Sequence, residues 1–448
     1  MKSQEVNLGK TDAAALNRRE MIQGMAGLLA VSAVSACAQA TREPPASKSS
    51  TNSDARTMAE RAEVCHSLVM EMARGPGGLI ISHPRFDTRL PLQEGDVPPG
   101  LHRVLDAVWG KDSPKPTVAE WYYGENTLWA TGWMLRGQMA RYRVTQDEKA
   151  LALARKCFQD LNHIFDLSRT IEPGLLGKPH GGRAGATTSF DQAAIPVLPY
   201  AQFALTYAKP EEKEQARRNL HDHGDYFIRR NWQVNHHGKL VRIVPAGHTS
   251  AMKYFASVHA AYDVTGEERY RDESVKCVRQ LIDKGMIPWP SKVNAPDVGN
   301  LHYYSYIGEY WSKTSLAKDV DWISHIGLNW KIAQTALTDE GLVVDGKYDI
   351  KTQQFIPDAK NPTGYQGRTG GSLLVALLGL LARSHGFDDH AHHIARKILL
   401  RCDPSIFRQC FDDGHLPENE KDFANLFPTE LPAQWLCAYW LGREQKAW

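Results

Sequence analysis

The residues able to do chemistry cluster just ahead of stretches that read as buried helix. Trp121-Tyr122-Tyr123-Gly124-Glu125-Asn126 precedes the first, and His180-Gly-Gly-Arg183 through Phe190-Asp191-Gln192 precedes the second. Gly247-His248-Thr249-Ser250 opens a third, with Tyr254 one turn on, and Asn300-Leu301-His302-Tyr303-Tyr304-Ser305-Tyr306 opens a fourth. Tyr365 to Thr369, including Arg368, opens a fifth, and the sixth is led by Asp412, Asp413, His415 and Glu430. Aromatic rings suit the apolar faces of a sugar, and the polar groups suit its hydroxyls. Hydrolysis of a glycosidic bond needs one protonated carboxyl and one that is basic or nucleophilic. Glu125 and Asp191 form the best pair, because each begins a buried helix whose dipole favours an anion. Asp413 and Glu430 stand in reserve. Simple helix capping would also explain Asp191, and a buried hydrogen-bonded partner would also explain Glu125. The competing chemistry is β-elimination, which needs a base and a group that neutralises a uronate carboxylate. His248, His302, Tyr304 and Tyr254 are available as bases, and Arg183, Arg368 and Gln192 as neutralisers. The expected substrate-binding set is Trp121, Tyr122, Tyr123, Arg183, Gln192, Tyr254, Asn300, Tyr306 and Arg368.

These groups need a scaffold, and the scaffold repeats. Ala140-Arg-Tyr142-Arg-Val144-Thr145-Gln-Asp-Glu148 recurs 120 residues later as Ala260-Ala-Tyr262-Asp-Val264-Thr265-Gly-Glu-Glu268. Thr three residues ahead of Glu predicts a capping box that starts a helix. Helices apolar all round (127–142, 190–207, 249–261, 371–382, 431–441) alternate with amphipathic ones (147–166, 210–230, 267–283, 388–402). A helix apolar on every side must be buried, whereas a single stripe lies outside. Inner helices are predicted to start near 125, 190, 248, 302, 369 and 431, and outer ones near 147, 210, 267, 318 and 388. Residues 55–73 supply the sixth outer helix. The predicted fold is all-α, an (α/α)6 toroid of six helical hairpins. An open solenoid is the alternative, but its terminal repeats need polar caps. Short turns within each hairpin leave the long connections on one face, where loops over a rigid scaffold carry function.

Composition narrows the function classes. Of 448 residues the net charge is +2, so no strong field points to nucleic acid or an anionic membrane. No glycine-rich phosphate loop is present, and no cofactor or metal is implied. Ser250-Ala-Met-Lys253 matches a short serine-lysine pattern without the elements that accompany it. His221/His223/Asp225 and His390/His392/His393 fall on outer helices, whose faces often carry His. Cys65, Cys157, Cys277 and Cys437 lie in helical patterns and read as small core hydrophobes. A Cys402–Cys410 disulfide is an option in an oxidising compartment.

The N-terminus is organised differently. Asn17-Arg18-Arg19-Glu20-Met21-Ile22-Gln23 precedes an apolar run and resembles a twin-arginine export signal. The run is too short to span a bilayer as a helix. It ends Val34-Ser35-Ala36-Cys37, which resembles a lipobox; that resemblance implies lipidation at Cys37, and the other reading is a plain cut near Ala38-Gln39-Ala40. The predicted organisation is a signal at 1–37, a Ser/Thr/Pro/Ala-rich tether at 38–54 and a toroid at 55–448. Export to the periplasm or cell surface follows, with a lipid anchor as the only membrane contact.

The toroid pattern, the repeated Val-Thr-x-x-Glu turns and the aromatic-polar helix starts resemble the six-hairpin glycosidase superfamily, over roughly 55–448. That resemblance implies a carbohydrate-active enzyme, read here as a glycoside hydrolase; Arg183, Arg368 and several histidines near the cup point to an acidic oligo- or polysaccharide, with helix-end capping by Arg as the alternative. The fold hosts other reactions too. Asn300-Leu301-His302-Tyr303-Tyr304 loosely resembles the Asn-His-Tyr motif of toroidal alginate lyases, although Leu301 interrupts it. A sugar-binding lipoprotein without catalysis is the reading from another class.

Overall fold

Helix alternation governs the chain in the computed structural model. The described residues are 58–96, 116–183, 185–236, 239–242, 251–283, 320, 322–338, 346–349, 352, 354–357, 369–402 and 426–448, all within one unit, Ser49–Trp448. In chain order the helices are α1 (Met58–Ser67), α2 (Val118–Gly124), α3 (Thr127–Thr145), α4 (Glu148–Arg169), α5 (Phe190–Ala194), α6 (Val197–Thr206) and α7 (Pro210–Arg229). Then follow α8 (Ala251–Thr265), α9 (Glu268–Asp283), α10 (Trp322–Thr335), α11 (Thr369–Ser384), α12 (Ala391–Arg401) and α13 (Glu430–Glu444). Two antiparallel hairpins interrupt them, β1 (Gln233–His236) with β2 (Lys239–Arg242), and β3 (Gly346–Asp349) with β4 (Gln354–Pro357).

Hydropathy decides which helix lies inside. α3 is buried continuously from Ala130 to Ala140, and α13 from Glu430 to Gly442. α4 buries one stripe that includes Ala150, Ala154, Cys157, Phe158, Leu161, Ile164 and Phe165, a spacing of three and four that places it outside. Each large apolar side chain removed from water adds roughly 1.5–3 kcal/mol. The inner helices are neighbours in order: α13 packs on α3, α3 on α5 and α6, and both of these on α8, while α11 returns to α13. The outer helices lean on this ring, α4 on α3, α7 and α9 on α8, α10 and α12 on α11, and α1 on α13. The N-terminal helix therefore packs on the last one; the fourth inner helix, expected near 302, lies outside the described residues. The chain is an all-α toroid.

Two local features depart from the expected pattern. The second inner helix is split between α5 and α6, because Pro196 has no amide to continue the ladder. Its backbone approaches α3 so closely that a Cβ on Gly132 would lie 2.8 Å from Pro196 Cα. The Thr145/Glu148 capping box does not form. Thr145 ends α3 and bonds back to the Arg141 carbonyl, Gln146 turns left-handed (φ 54°), and Asp147 caps α4 through the Lys149 amide. Thr265 bonds back to Ala261 in the same way, with Gly266 at φ 76°. The repeat is real, but it encodes a helix end and a left-handed turn, and in the first copy the cap falls two residues later. Cys402 is a buried thiol, as are Cys65, Cys157, Cys277 and Cys437, and Cys410, its expected disulfide partner, lies outside the described residues.

Candidate active site

The described parts of the long connections meet at the N-terminal ends of the inner helices. The segment after α1 runs past the end of α2, where Ser82 and His83 amides donate to the Tyr123 and Tyr122 carbonyls. These are orphan acceptors of a helix end, so the contact caps α2. The same segment receives the connection before α13: Phe427 donates to Pro84, and Thr429 Oγ1 to Ile81 and Ser82. The connection before α5 presses on the α2 end from the other side. A Cβ on Gly124 would lie 2.6 Å from the Pro179 carbonyl oxygen, so only glycine admits this approach. Further round, Thr188 donates to Asn235 of β1, and a His236 ring nitrogen contacts the Thr188 carbonyl.

Two carboxyl groups stand at this junction. Glu125 lies between α2 and α3, and Glu430 is the first residue of α13, next to α3 in the inner ring. Their surroundings set them apart. Glu125 Oε1 is paired with the Lys178 ammonium, whose side chain is 1% exposed against 16% for Glu125. Among the described residues, no cation pairs with Glu430. Its Oε1 accepts from Asn126 Nδ2 at 3.1 Å, and its Oε2 is buried with no hydrogen-bond partner among them. Burial pushes its carboxyl up to about 7, and repulsion from Glu125 adds to this. Bonds from its own backbone amide and from Asn126 act the other way.

Neutral groups surround the pair. Burial lowers the His83 ring to about 4, with Lys178 adding and Glu125 opposing. His180 is lowered to about 4 for the same leading reason. Ser82 Oγ accepts from the Asn126 amide at 2.6 Å, so its own hydrogen is available to His83 Nδ1, 2.7 Å away. One group near neutral and still protonated, beside another held as an ion pair, is an arrangement that can donate and accept a proton across a scissile bond.

The sequence-predicted residues fare unevenly. Glu125 lies at the centre. Gln192 is buried beside it and spends its amide on protein: Nε2 donates to Asn126 Oδ1 at 3.1 Å, and Oε1 accepts from the Trp129 amide at 3.0 Å. Trp121, Tyr122 and Tyr123 are buried, with Trp121 against Tyr122 and Tyr122 edge-on to His83. Arg183 is 65% exposed and pairs with Glu120 at 2.6 Å. The backbones of Asp191 and Tyr254 belong to α5 and α8, but their side chains lie outside the described structure. His248, Asn300, His302, Tyr304, Tyr306, Arg368, Asp413 and Cys37 lie outside the described residues altogether. Lys178, His83 and Ser82 were not singled out from sequence. Gly177-Lys178-Pro179 reads as an ordinary loop, and only its contact with Glu125 gives the lysine a role.

The fold and this junction define an all-α toroid with two dissimilar carboxyls where its inner helices begin. No family model matches the chain, and no curated protein matches it by sequence. Among solved structures it is similar to a family 76 glycoside hydrolase from a bovine Bacteroides thetaiotaomicron strain. The TM-score is 0.51 at 11% identity, over 88% of this chain and 79% of that one. At that identity the likeness speaks to the fold.

Proposed function

We propose that this chain hydrolyses glycosidic bonds, with Glu430 as general acid and Glu125 as base or nucleophile. The observation that carries this is the contrast between the two carboxyls. Glu430 is buried without a described cation and keeps its proton near neutral pH, whereas Glu125 is charge-balanced by Lys178. Protonation of the leaving oxygen needs the first, and attack or activation of water needs the second. The likeness of the fold to a glycoside hydrolase supports the substrate class. Lys178 and Arg183 are both neutralised by glutamates, and the proposed preference for acidic sugars is put to a direct test. The test is a panel of uronate-containing and neutral glycans, followed by new reducing ends. Glu430→Gln and Glu125→Gln are each expected to lower kcat by about 10²–10⁴-fold on the active glycan. Wild-type turnover in either variant removes that residue from the mechanism. Ultraviolet absorbance from an unsaturated uronate product would reassign the reaction to elimination.

Export and anchoring belong to the same reading. Asn17–Gln23 supplies the export signal and Cys37 the lipidation site. Labelling with a clickable fatty acid is expected on the wild type and absent from Cys37→Ser.

A further inference from the structure

We infer that Gln192 and Asn126 are positioning residues that fix the Glu430 proton on Oε2; this rests on the reading of Glu430 as the acid. The chain of hydrogen bonds begins at a group with no freedom. The Trp129 backbone amide can only donate, and it donates to Gln192 Oε1 at 3.0 Å. Gln192 must then turn Nε2 toward Asn126, where it donates to Oδ1 at 3.1 Å. That leaves Asn126 Nδ2 facing Glu430 Oε1, again at 3.1 Å. The direction of every bond follows from the first, so neither amide can be flipped without setting two like groups against each other. Glu430 Oε1 is thereby obliged to accept. A protonated Glu430 carries its hydrogen on the other oxygen, which is buried and has no partner among the described residues.

The chain of bonds joins the starts of three inner helices, α5, α3 and α13. It therefore sets the position of the acid as well as the oxygen that holds its proton. Asn126 also donates its backbone amide to Ser82, which holds it from the opposite side. Of the charged groups on neighbouring elements, Glu125 acts on Glu430 and is itself paired with Lys178. Arg61 of α1 donates to the Leu399 and Leu400 carbonyls, and Arg383 of α11 to the Gln445 carbonyl beyond the far end of α13. Gln192, expected from sequence to touch substrate, acts here through Asn126.

The experiment compares Asn126→Ala, Asn126→Asp and Gln192→Glu with the wild type and Glu430→Gln. The isosteric changes cover the case in which alanine fails to fold. Asn126→Asp leaves no hydrogen to offer Oε1, and Gln192→Glu, as a carboxylate, leaves none to offer Asn126. Two readouts are taken on the full-length protein. The first is the pH profile of kcat/KM on the active glycan. Its basic limb is expected to move up by about 0.5–1 unit when the bond to Oε1 is lost, with kcat down by about 10–100-fold. The second needs no substrate: the infrared band of the protonated Glu430 carbonyl, identified by its absence in Glu430→Gln, is expected to shift to higher frequency. A merely structural role moves neither. If Glu430→Gln abolishes turnover while all three variants keep the limb and the band, the inference fails and the reading of Glu430 stands. If Glu430→Gln turns over normally, that reading fails and the inference falls with it.

Discussion

Lys178 and Glu125 form an ion pair between two connections on the same rim, and the lysine is the more deeply buried partner. Neither charge is stable there alone. Removing one member of a buried pair typically costs about 3–5 kcal/mol, because the other is left uncompensated. Lys178→Met is accordingly expected to destabilise the fold by that amount at neutral pH, read from urea unfolding. Replacing both partners by neutral groups of similar shape is far less costly. The double variant Lys178→Met/Glu125→Gln should therefore regain most of the lost stability while remaining inactive. A double variant no more stable than the single one would mean that the pair is not what holds Lys178.

Glu430 predicts a second dependence on pH. Its carboxyl has an ordinary value of 4.5 and is pushed up to about 7 in the fold. For such a group the stabilising contribution is complete below 4.5 and is lost as pH rises through 7. The loss amounts to roughly 3 kcal/mol. Glu430→Gln removes the titration. Its melting temperature should exceed that of the wild type at pH ~8 by more than it does at pH ~5. Equal differences at both values would show that Glu430 does not titrate in this range.

The way these residues escaped or caught notice follows from the range of the interactions. The toroid was legible because burial is periodic: continuous apolar sequence in α3 and α13 against a single stripe in α4 is written locally. The packing of the N-terminal helix on the last one was legible too, since α1 is the helix left over to cover α13. Glu125 was legible from its place ahead of a buried helix. Lys178 was not, because its burial depends on a carboxylate 53 residues away. Glu430 was legible only as a reserve carboxyl ahead of the last buried helix. What makes it unusual is a bond to Asn126, 304 residues distant. Gln192 was legible from its place at the start of a buried helix, but its bonds to Asn126 and Trp129 were not, because sequence cannot tell an amide aimed at a ligand from one satisfied by protein. The Thr145 turn failed by two residues, as helix ends often do.

Three buried histidines predict acid sensitivity. His83, His180 and His223 are each lowered from 6.5 to about 4, with burial the leading cause. Each contributes stability that is present above 6.5 and lost as pH falls through 4. Near pH 5 the unfolded chain binds these protons and the folded chain does not, while Glu430 works in the opposite direction. The balance of the four groups is an uptake of about two protons on unfolding. Stability measured by urea unfolding should therefore rise by roughly 3 kcal/mol per pH unit around pH ~5. A flat profile there would contradict neutral burial of the histidines.

Gly124 tests the link between packing and the site most directly. Its absent side chain is what lets Pro179 and His180 lie against the end of α2, with a built Cβ at 2.6 Å from the Pro179 oxygen and 2.8 Å from the His180 nitrogen. Both contacts are to backbone, which cannot swing aside as a flexible side chain would. Gly124→Ala must push that segment outward, and Lys178 moves with it. Overpacking of this kind costs about 1–3 kcal/mol. A displacement near 1 Å in a catalytic group costs about 10²-fold in rate. The variant should thus fold with reduced stability and lose turnover out of proportion to that loss. Gly95→Ala is the control, since a Cβ there meets nothing within 4 Å and should leave both stability and rate unchanged. If Gly124→Ala kept full turnover, the Lys178–Glu125 contact would not depend on this approach, and the rim would be looser than its geometry implies.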